Sequence, residues 1–347
     1  MLSAVTDDVS TPLSILDLAV IGPGQTARDA FDASVRLARR ADALGYTRIW
    51  YAEHHNMSSI ASSATSVLIG HVADRTTRIR LGAGGIMLPN HSPLVIAEQF
   101  GTLAALHPGR IDLGLGRAPG SDQPTQRALR RDPTSSDRFP EDVLELQGFL
   151  RGESRIPGVA AVPGAGSNVP LYILGSSLFG ARLAAMLGLP YAFASHFAPT
   201  ALLDAVALYR SEFEPSDQLD RPHVMAGVNV IASADHDDAH RQFTEVRRRR
   251  VARFLTSPRD LSDDEADAIL ESPQGRHIDQ MTHYTAVGTP SEVADYLSGF
   301  AARCGADELV TVHPSSDVDR RLASVSLLAD TWLGAADTTA SATVAAR

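Results

Sequence analysis

Cysteine is almost absent from this sequence, because Cys304 is the only one in 347 residues. A lone cysteine cannot form a disulfide within the chain or build a cysteine-rich metal site, so we expect a reducing compartment, the cytoplasm. No run of about 18 apolar residues occurs, and we therefore expect no membrane-spanning helix. Segment 1–11 is polar and acidic and lacks the features of a secretory signal peptide, so none is expected.

Positively charged residues are also fewer than negatively charged ones. The chain has 31 Lys and Arg against 41 Asp and Glu, which gives a net charge of −10. This balance argues against a general nucleic-acid-binding surface. Apolar residues make up 44% of the sequence, enough for a large core, and the length suits one α/β barrel.

Eight apolar segments typical of strands alternate with helical patterns. The strands are predicted over residues 13–20, 49–52, 79–86, 111–115, 171–174, 191–194, 224–232 and 308–312. Connections of this length imply parallel pairing with right-handed crossovers. We predict a (β/α)₈ TIM barrel as a single domain over 1–333, with insertions after strands 4 and 7 and a disordered tail over 334–347. A doubly wound open sheet is the alternative, because periodicity does not show closure.

Glu53, His54 and His55 follow the second strand directly. In a parallel barrel the carboxyl ends of the strands carry the chemistry, and histidine is a general acid or base near neutral pH. The alternative is a polar strand end that merely reaches solvent. His54 and His55 are adjacent and would point to opposite faces of a strand, so we expect no metal site.

Other polar residues lie at predicted strand ends. They are Asp17, Asn90, His91, Arg117, Ser176, Ser177, Ser195, His196 and His313. By position alone, His91 and His313 are more typical of ordinary loop residues. Arg117 follows a glycine-rich strand end and could meet an anion or pair with a carboxylate. Ser176 and Ser177 open a helix, where they could cradle a phosphate or serve as an ordinary N-cap.

Two further features have competing interpretations. Gly84 and Gly85 interrupt a strand, which indicates either close backbone approach or a tight barrel corner. Residues 247–250 are four consecutive arginines on a predicted helix, and we interpret them as a surface feature.

Several motifs together resemble those of the bacterial luciferase-like flavin monooxygenases. The similarity runs in order over about residues 13–330 and is closest to the branch found in natural-product tailoring. The motifs are Tyr51-Ala52-Glu53-His54-His55, residues 81–93 (LGAGGIMLPNHSP), residues 109–117 (GRIDLGLGR), residues 174–177 (LGSS) and Val287-Gly288-Thr289-Pro290.

The resemblance implies a two-component monooxygenase. Reduced FMN from a separate flavin reductase would react with O2 to give a C4a-hydroperoxide. That species would epoxidise, hydroxylate or Baeyer–Villiger oxidise a small organic substrate such as a polyketide. Homodimers built on the second and third helices and a mobile active-site loop, here residues 256–285, are also implied.

The resemblance assigns roles to individual residues. His54 matches the catalytic acid/base, Arg117, Ser176 and Ser177 match the phosphate-binding positions, and Gly84-Gly85 matches a non-prolyl cis peptide under the isoalloxazine ring. We add Glu53 to the cofactor site and His55, His91 and His196 to the substrate pocket.

One position departs from the pattern. Gly116 stands where luciferase alpha chains carry a reactive cysteine, so light emission is not expected. A deazaflavin-dependent oxidoreductase that transfers hydride shares the fold and remains an alternative. A non-catalytic flavin-binding subunit is a third possibility, against which His54 and Arg117 argue.

Overall fold

Eight parallel strands form a closed barrel in the computed structural model, which describes residues 11–118, 122–131, 134–255 and 261–334. Strands β1 to β7 pair successively, and β9 pairs with both β7 and β1 to close the ring. The barrel prediction is therefore confirmed, and the open-sheet alternative is wrong. The strands are β1 (Leu13–Asp17), β2 (Arg48–Tyr51), β3 (Arg80–Met87), β4 (Ile111–Gly116), β5 (Leu171–Gly175), β6 (Tyr191–Phe193), β7 (Val224–Ala232), β8 (Thr285–Gly288) and β9 (Glu308–Val312).

Strand β8 lies outside the ring and is missing from the sequence-based prediction. It pairs in parallel with the last four residues of β7, from Asn229 to Ala232. β7 is nine residues long and continues past the barrel rim, which leaves its end free to pair with β8. A four-residue strand after a polar stretch gives too little alternation to be recognised.

Helices surround the barrel, and their ends follow local sequence signals. Thr26 forms a capping box with Asp29 at the first helix, and Gly45 ends that helix in the left-handed region. The predicted capping box of Thr289 and Glu292 is confirmed. The helices are α1 (Ala27–Leu44), α2 (Thr65–Ala73), α3 (Pro93–Leu106), α4 (Gln123–Ala128), α5 (Phe139–Arg151), α6 (Leu178–Met186), α7 (Leu202–Ser211), α8 (His236–Phe254), α9 (Asp263–Glu271), α10 (Gly275–Met281), α11 (Pro290–Cys304) and α12 (Val318–Trp332).

The two predicted insertions are present. The first lies between β4 and β5 and carries α4 and α5. The second follows β7 and carries α8, α9, α10 and β8. Of the predicted mobile loop 256–285, residues 256–260 lie outside the described ranges, and most of the remainder is helical in α9 and α10. The predicted tail, except Gly334, also lies outside them.

A buried ionic cluster fills the barrel near the amino-terminal ends of the strands. The Arg48 guanidinium lies 2.8 Å from a carboxylate oxygen of Asp112 and 2.8 Å from one of Glu308. It also donates a hydrogen bond to the Tyr172 hydroxyl, and Trp50 donates to Asp112. Every charge in the cluster has an opposite partner, as a buried ion needs. We call Arg48, Asp112 and Glu308 the ionic plug.

None of the helices in the described ranges is both long enough and apolar enough to cross a membrane.

Candidate active site

Glu53 lies buried at the carboxyl end of β2 with both carboxylate oxygens engaged. Its Oε1 lies 2.8 Å from His55 Nε2 and 2.8 Å from His91 Nε2, and Oε2 accepts a 3.0 Å hydrogen bond from the Met87 amide. His91 therefore contacts Glu53, which its position in the sequence alone did not indicate. Only 1% of Glu53 is exposed, so its carboxylate contacts these neighbours and not solvent.

The contacts around Glu53 favour its ionised form. Burial raises the pKa of Glu53, but hydrogen bonds from His55 and His91 outweigh burial and leave the pKa below its usual range. The same hydrogen bond raises the pKa of His55, with burial opposing it. The three side chains thus form a hydrogen-bonded set that favours a proton on His55.

This set also has the composition of a metal site. The ligand atoms of Glu53, His55 and His91 all lie within 4.8 Å of one another, close enough to surround one ion. Local spacing does not reveal this arrangement, because His54 and His55 are adjacent and His91 lies 36 residues beyond His55. The hydrogen bonds to Glu53 account for this arrangement without an ion.

His54 faces the barrel mouth with an unpaired nitrogen. Its Nδ1 is buried and has no hydrogen-bond partner among the described residues, while its backbone amide donates to Ser62 at 3.2 Å. Burial and the nearby positive charge of Arg253 lower the pKa of His54 to about 4. The imidazole is therefore neutral near pH 7, with one nitrogen able to accept a proton.

His196, which follows β6, has a similar environment. Its Nδ1 is buried and also lacks a partner in the described ranges. Burial and the charges of Arg250 and His54 lower the pKa of His196 to about 4. A Cβ on Gly227 would stand 2.3 Å from this Nδ1, so only glycine leaves room for the ring. His54 contributes to this lowering of the pKa of His196, which places the two imidazoles within electrostatic range of each other.

Arg117 and the start of α6 lie together where β4 and β5 end. Gly116 is paired with Leu174, which places Arg117 beside the turn that carries Ser176 and Ser177. All three residues are exposed. The Arg117 guanidinium lies 4.2 Å from the centre of the Phe179 ring and has no ion pair or hydrogen bond within the described ranges.

The N-terminus of α6 is open to a ligand. Ser177 is its N-cap residue, but the serine side chain makes no capping hydrogen bond, so backbone N–H groups are left for another acceptor. An open helix N-terminus beside an unpaired arginine suits a phosphate group. We call Arg117, Ser176 and Ser177 the phosphate cradle, and its residues fit the phosphate of a flavin or deazaflavin cofactor.

The peptide between Gly84 and Gly85 is cis, as the resemblance implies. The pairing of β3 with β4 shifts register here, between Ala83 and Ile86. A Cβ on Gly84 would lie 2.9 Å from Leu16, and one on Gly85 would lie 2.7 Å from the Gly114 carbonyl oxygen. Close backbone approach therefore explains both glycines.

Two polar strand ends serve the framework instead of the site. Asp17 accepts hydrogen bonds from Ser34 and from Arg321 of α12. His313 is buried between Ser324 and Thr311, with a hydrogen-bond partner for each ring nitrogen. His313 lies just after β9 outside any strand, where position alone predicts an ordinary residue, and the structure adds that it is buried with both nitrogens satisfied.

The arginine run on α8 is not uniformly a surface feature. Arg247 and Arg248 pair with acids of α9 and α10. Arg250 instead reaches the barrel rim, where it donates to the Met281 carbonyl oxygen at 2.6 Å and to Asn229 at 3.2 Å. Four consecutive residues point in different directions around a helix, so the sequence alone does not show which of these arginines faces the barrel.

A closed (β/α)₈ barrel with histidines and an arginine at the carboxyl ends of its strands has the architecture of a TIM-barrel enzyme. Residues 11–308 match the family model described as "Luciferase-like monooxygenase". The chain belongs to this family of oxidoreductases.

Two relatives align over nearly the whole chain. One, from Escherichia coli (strain K12), is named a luciferase-like monooxygenase, and it is 47% identical over 326 residues, covering 93% of this chain and 97% of its own. The other is the N-acetyl-S-alkylcysteine monooxygenase of Bacillus subtilis (strain 168), 34% identical over 335 residues, with 93% and 98% coverage.

Solved structures confirm the architecture. Apo-MsnO8 superposes with a TM-score of 0.84 at 34% identity and covers 94% of this chain and 98% of its own. Two more distant structures, each 16% identical, show the fold alone. One is the oxygenating constituent of 3,6-diketocamphane monooxygenase from Pseudomonas putida in complex with FMN, with a TM-score of 0.70 and coverage of 93% of this chain and 98% of its own. The other is an F420-dependent secondary alcohol dehydrogenase in complex with an F420-acetone adduct, with a TM-score of 0.67 and coverage of 93% and 99%.

Proposed function

We propose that this protein is the oxygenating component of a two-component, FMN-dependent monooxygenase that acts on a small organic substrate. The observation that carries the proposal is the phosphate cradle on the same barrel mouth as the unpaired, neutral imidazole of His54. A separate flavin reductase would supply reduced FMN, as the resemblance to two-component monooxygenases implies.

The chain's own residues would hold the cofactor at two places. Arg117, Ser176 and Ser177 would bind the FMN phosphate, and the Gly84-Gly85 segment would let the ring system approach the backbone. Reduced FMN, when bound, supplies the electrons for O2 activation. FMN is favoured over a deazaflavin by the monooxygenase names of the two close relatives.

His54 would manage a proton next to the flavin. Its Nδ1 is free to accept a proton, and its low pKa keeps the ring neutral at pH 7. Glu53 would act indirectly, because it fixes His55 and His91 by hydrogen bonds. These groups would line the substrate pocket together with His196.

Oxygen chemistry of this kind needs a pocket from which water is excluded. The segment 256–285 is our proposed lid, and its helix α9 is held to α8 by ion pairs of Arg248 with Asp263 and Asp267. We expect FMN and substrate together to slow proteolysis within this segment. An unchanged cleavage rate would contradict the lid.

The direct test mixes the protein and reduced FMN with oxygenated buffer and follows flavin absorbance by stopped flow. We expect a long-lived species that differs from both reduced and oxidised flavin. In His54→Ala, substrate oxygenation should fall by about 10²-fold or more. Oxidation at the rate of free flavin would contradict the proposal. Turnover with a deazaflavin in the absence of oxygen would support the oxidoreductase alternative instead.

A homodimer is the second part of the proposal. Helices α2 and α3 are apolar on nearly all faces, yet they expose Val67 (71%), Val95 (44%) and Leu106 (67%). Burial of such faces against a second copy is favourable. We expect wild-type protein to sediment as a dimer and Val67→Glu to sediment as a monomer. A wild-type monomer at micromolar concentration would contradict this interface.

Two substrate classes deserve the first assays. The resemblance to natural-product tailoring enzymes suggests a polyketide, and the name of one relative gives an N-acetyl-S-alkylcysteine.

A further inference from the structure

Two arginines near the end of α8 face the barrel mouth without an acidic partner. Arg250 donates only to the Met281 carbonyl oxygen and the Asn229 side chain, and Arg253 contacts Met57 Sδ at 3.3 Å. Neither forms an ion pair with a carboxylate of the described residues. The neighbouring Arg247 and Arg248 do form such pairs.

Both arginines act electrostatically on the active-site imidazoles. Arg253 lowers the pKa of His54, and Arg250 lowers the pKa of His196. Each imidazole also has an unpaired, buried Nδ1. Hydrogen bonds support this proximity, because Arg250 donates to Asn229, which itself donates to the His196 carbonyl oxygen, and Arg253 contacts Met57, three residues after His54. Two cations therefore lie near two unsatisfied nitrogens on a protein whose net charge is −10.

The Arg250 guanidinium is half-buried without an anion, which is costly because burial removes water that its charge would otherwise attract, whereas Arg253 is exposed. Burial lowers the pKa of Arg250 to about 10, which reflects this cost. A bound oxyanion would offset it, since the planar guanidinium matches a carboxylate in a two-point hydrogen bond.

The flavin phosphate has its own place. The phosphate cradle lies where β4 and β5 end, whereas Arg250 contacts Asn229 of β7 and Arg253 contacts Met57 beyond β2. The two groups of cations therefore belong to different strand ends and suit two different anions.

We propose that Arg250 and Arg253 bind an anionic group of the substrate, so that the substrate is a small organic molecule bearing a carboxylate or an equivalent oxyanion. The proposal rests on the proposed function, because it places the substrate beside His54 and the flavin.

The test compares carboxylic acids with their primary amides, which have nearly the same shape but no charge. Acetate, hexanoate, benzoate and N-acetylmethionine are each titrated with their amides, by ligand-observed NMR, into the protein with and without oxidised FMN. We expect at least one acid to bind about tenfold or more tightly than its amide.

The variants are Arg253→Gln, Arg250→Lys and the matched control Arg241→Gln, an exposed arginine on the same helix. Arg253→Gln should abolish the preference for the acid, and Arg250→Lys, which retains the charge and can still donate to Met281, should reduce it. The control should leave it unchanged. Absence of any acid preference, or a preference that survives in both site variants, overturns the proposal.

The affinity for FMN distinguishes whether Arg253 binds the substrate anion or the flavin phosphate. We expect Arg253→Gln to bind FMN as the wild type does, whereas a tenfold loss of FMN affinity with acid binding intact would assign the arginine to the flavin phosphate and overturn the proposal. If wild-type protein fails to bind FMN, the proposed function fails, while the flavin-free titration still tests the arginines.

Discussion

The two ends of the barrel differ in how their charged and titratable groups are paired. At the amino-terminal ends of the strands, Arg48 is matched by Asp112 and Glu308 at hydrogen-bond distances. At the carboxyl ends, His54 and Arg253 have no acidic partner in the part of the chain that the structure describes. The carboxyl ends thus combine one paired set, Glu53 with His55 and His91, with groups that have no acidic partner.

The difference separates stability from function. Paired buried charges hold a fold together only as a set, since removal of one leaves the others without compensation. Unpaired buried groups lower stability, and they persist where a ligand compensates them. We therefore expect substitutions at the ionic plug to affect folding, and substitutions at the mouth to affect binding and proton transfer.

The largest effect is expected from Arg48→Met. It leaves the carboxylates of Asp112 and Glu308 buried with fewer partners, which should lower the free energy of unfolding by about 3–5 kcal/mol. Urea unfolding followed by tryptophan fluorescence measures the change. The double variant Arg48→Met/Glu308→Gln removes one of the two carboxylates left without Arg48 and should recover part of the lost free energy of unfolding. A loss below about 1 kcal/mol would show that the plug is not the stabilising feature.

A second prediction concerns pH at the mouth. The pKa of His54 and that of His196 are about 4 in the folded protein, against about 6.5 unfolded. Between pH 6.5 and 4 the unfolded chain binds more protons, so stability falls as the pH falls, by at most about 1.4 kcal/mol per pH unit for each histidine.

His54→Gln should therefore flatten the decline in stability across this window, as urea unfolding at several pH values would show. His236→Gln is the control, because Glu292 raises the pKa of His236 and its contribution to stability is lost as the pH rises, not as it falls. An unchanged decline in His54→Gln would show that His54 is not held neutral by the fold.

A smaller and more local change is expected from Glu53→Gln, which preserves the shape of the side chain. Its hydrogen bond raises the pKa of His55, so the variant should shift that pKa downward. Titration of the histidine ring signals by NMR measures it, with His236 as an internal reference. An unmoved His55 pKa would contradict the positioning role of Glu53.

The smallest effect is expected at a surface ion pair. Arg36 and Asp319 lie 2.6 Å apart but are largely exposed, so Arg36→Ala should change the free energy of unfolding by less than about 1 kcal/mol. The contrast with Arg48→Met would show that burial, and not the mere presence of an ion pair, decides the cost. Equal losses in the free energy of unfolding for Arg36→Ala and Arg48→Met would show that burial does not decide the cost.

The sequence predicted the barrel well because its strands and caps are local signals. The Thr289–Glu292 capping box and the alternation of strands with helices need only neighbouring residues to be recognised. β8 was missed because its pairing depends on how far β7 extends beyond the rim, which is a tertiary property.

The site was predictable in its location and less so in its contacts. His54 and Arg117 stand at strand ends, where parallel barrels carry their chemistry. The bond between Glu53 and His91 joins residues 38 positions apart, and the inward direction of Arg250 depends on how α8 packs against α10. Neither is encoded in local spacing, so both required the structure.

The measurement that tests the account most directly is an anaerobic titration of reduced FMN into wild-type protein and Arg117→Gln, with Arg241→Gln as the control. We predict saturable binding to the wild type and the control, and a loss of about tenfold or more in Arg117→Gln, because the cradle would lose its charged hydrogen bonds to the phosphate. Equal affinity in Arg117→Gln, or no binding to the wild type, would contradict a phosphate cradle at the barrel mouth.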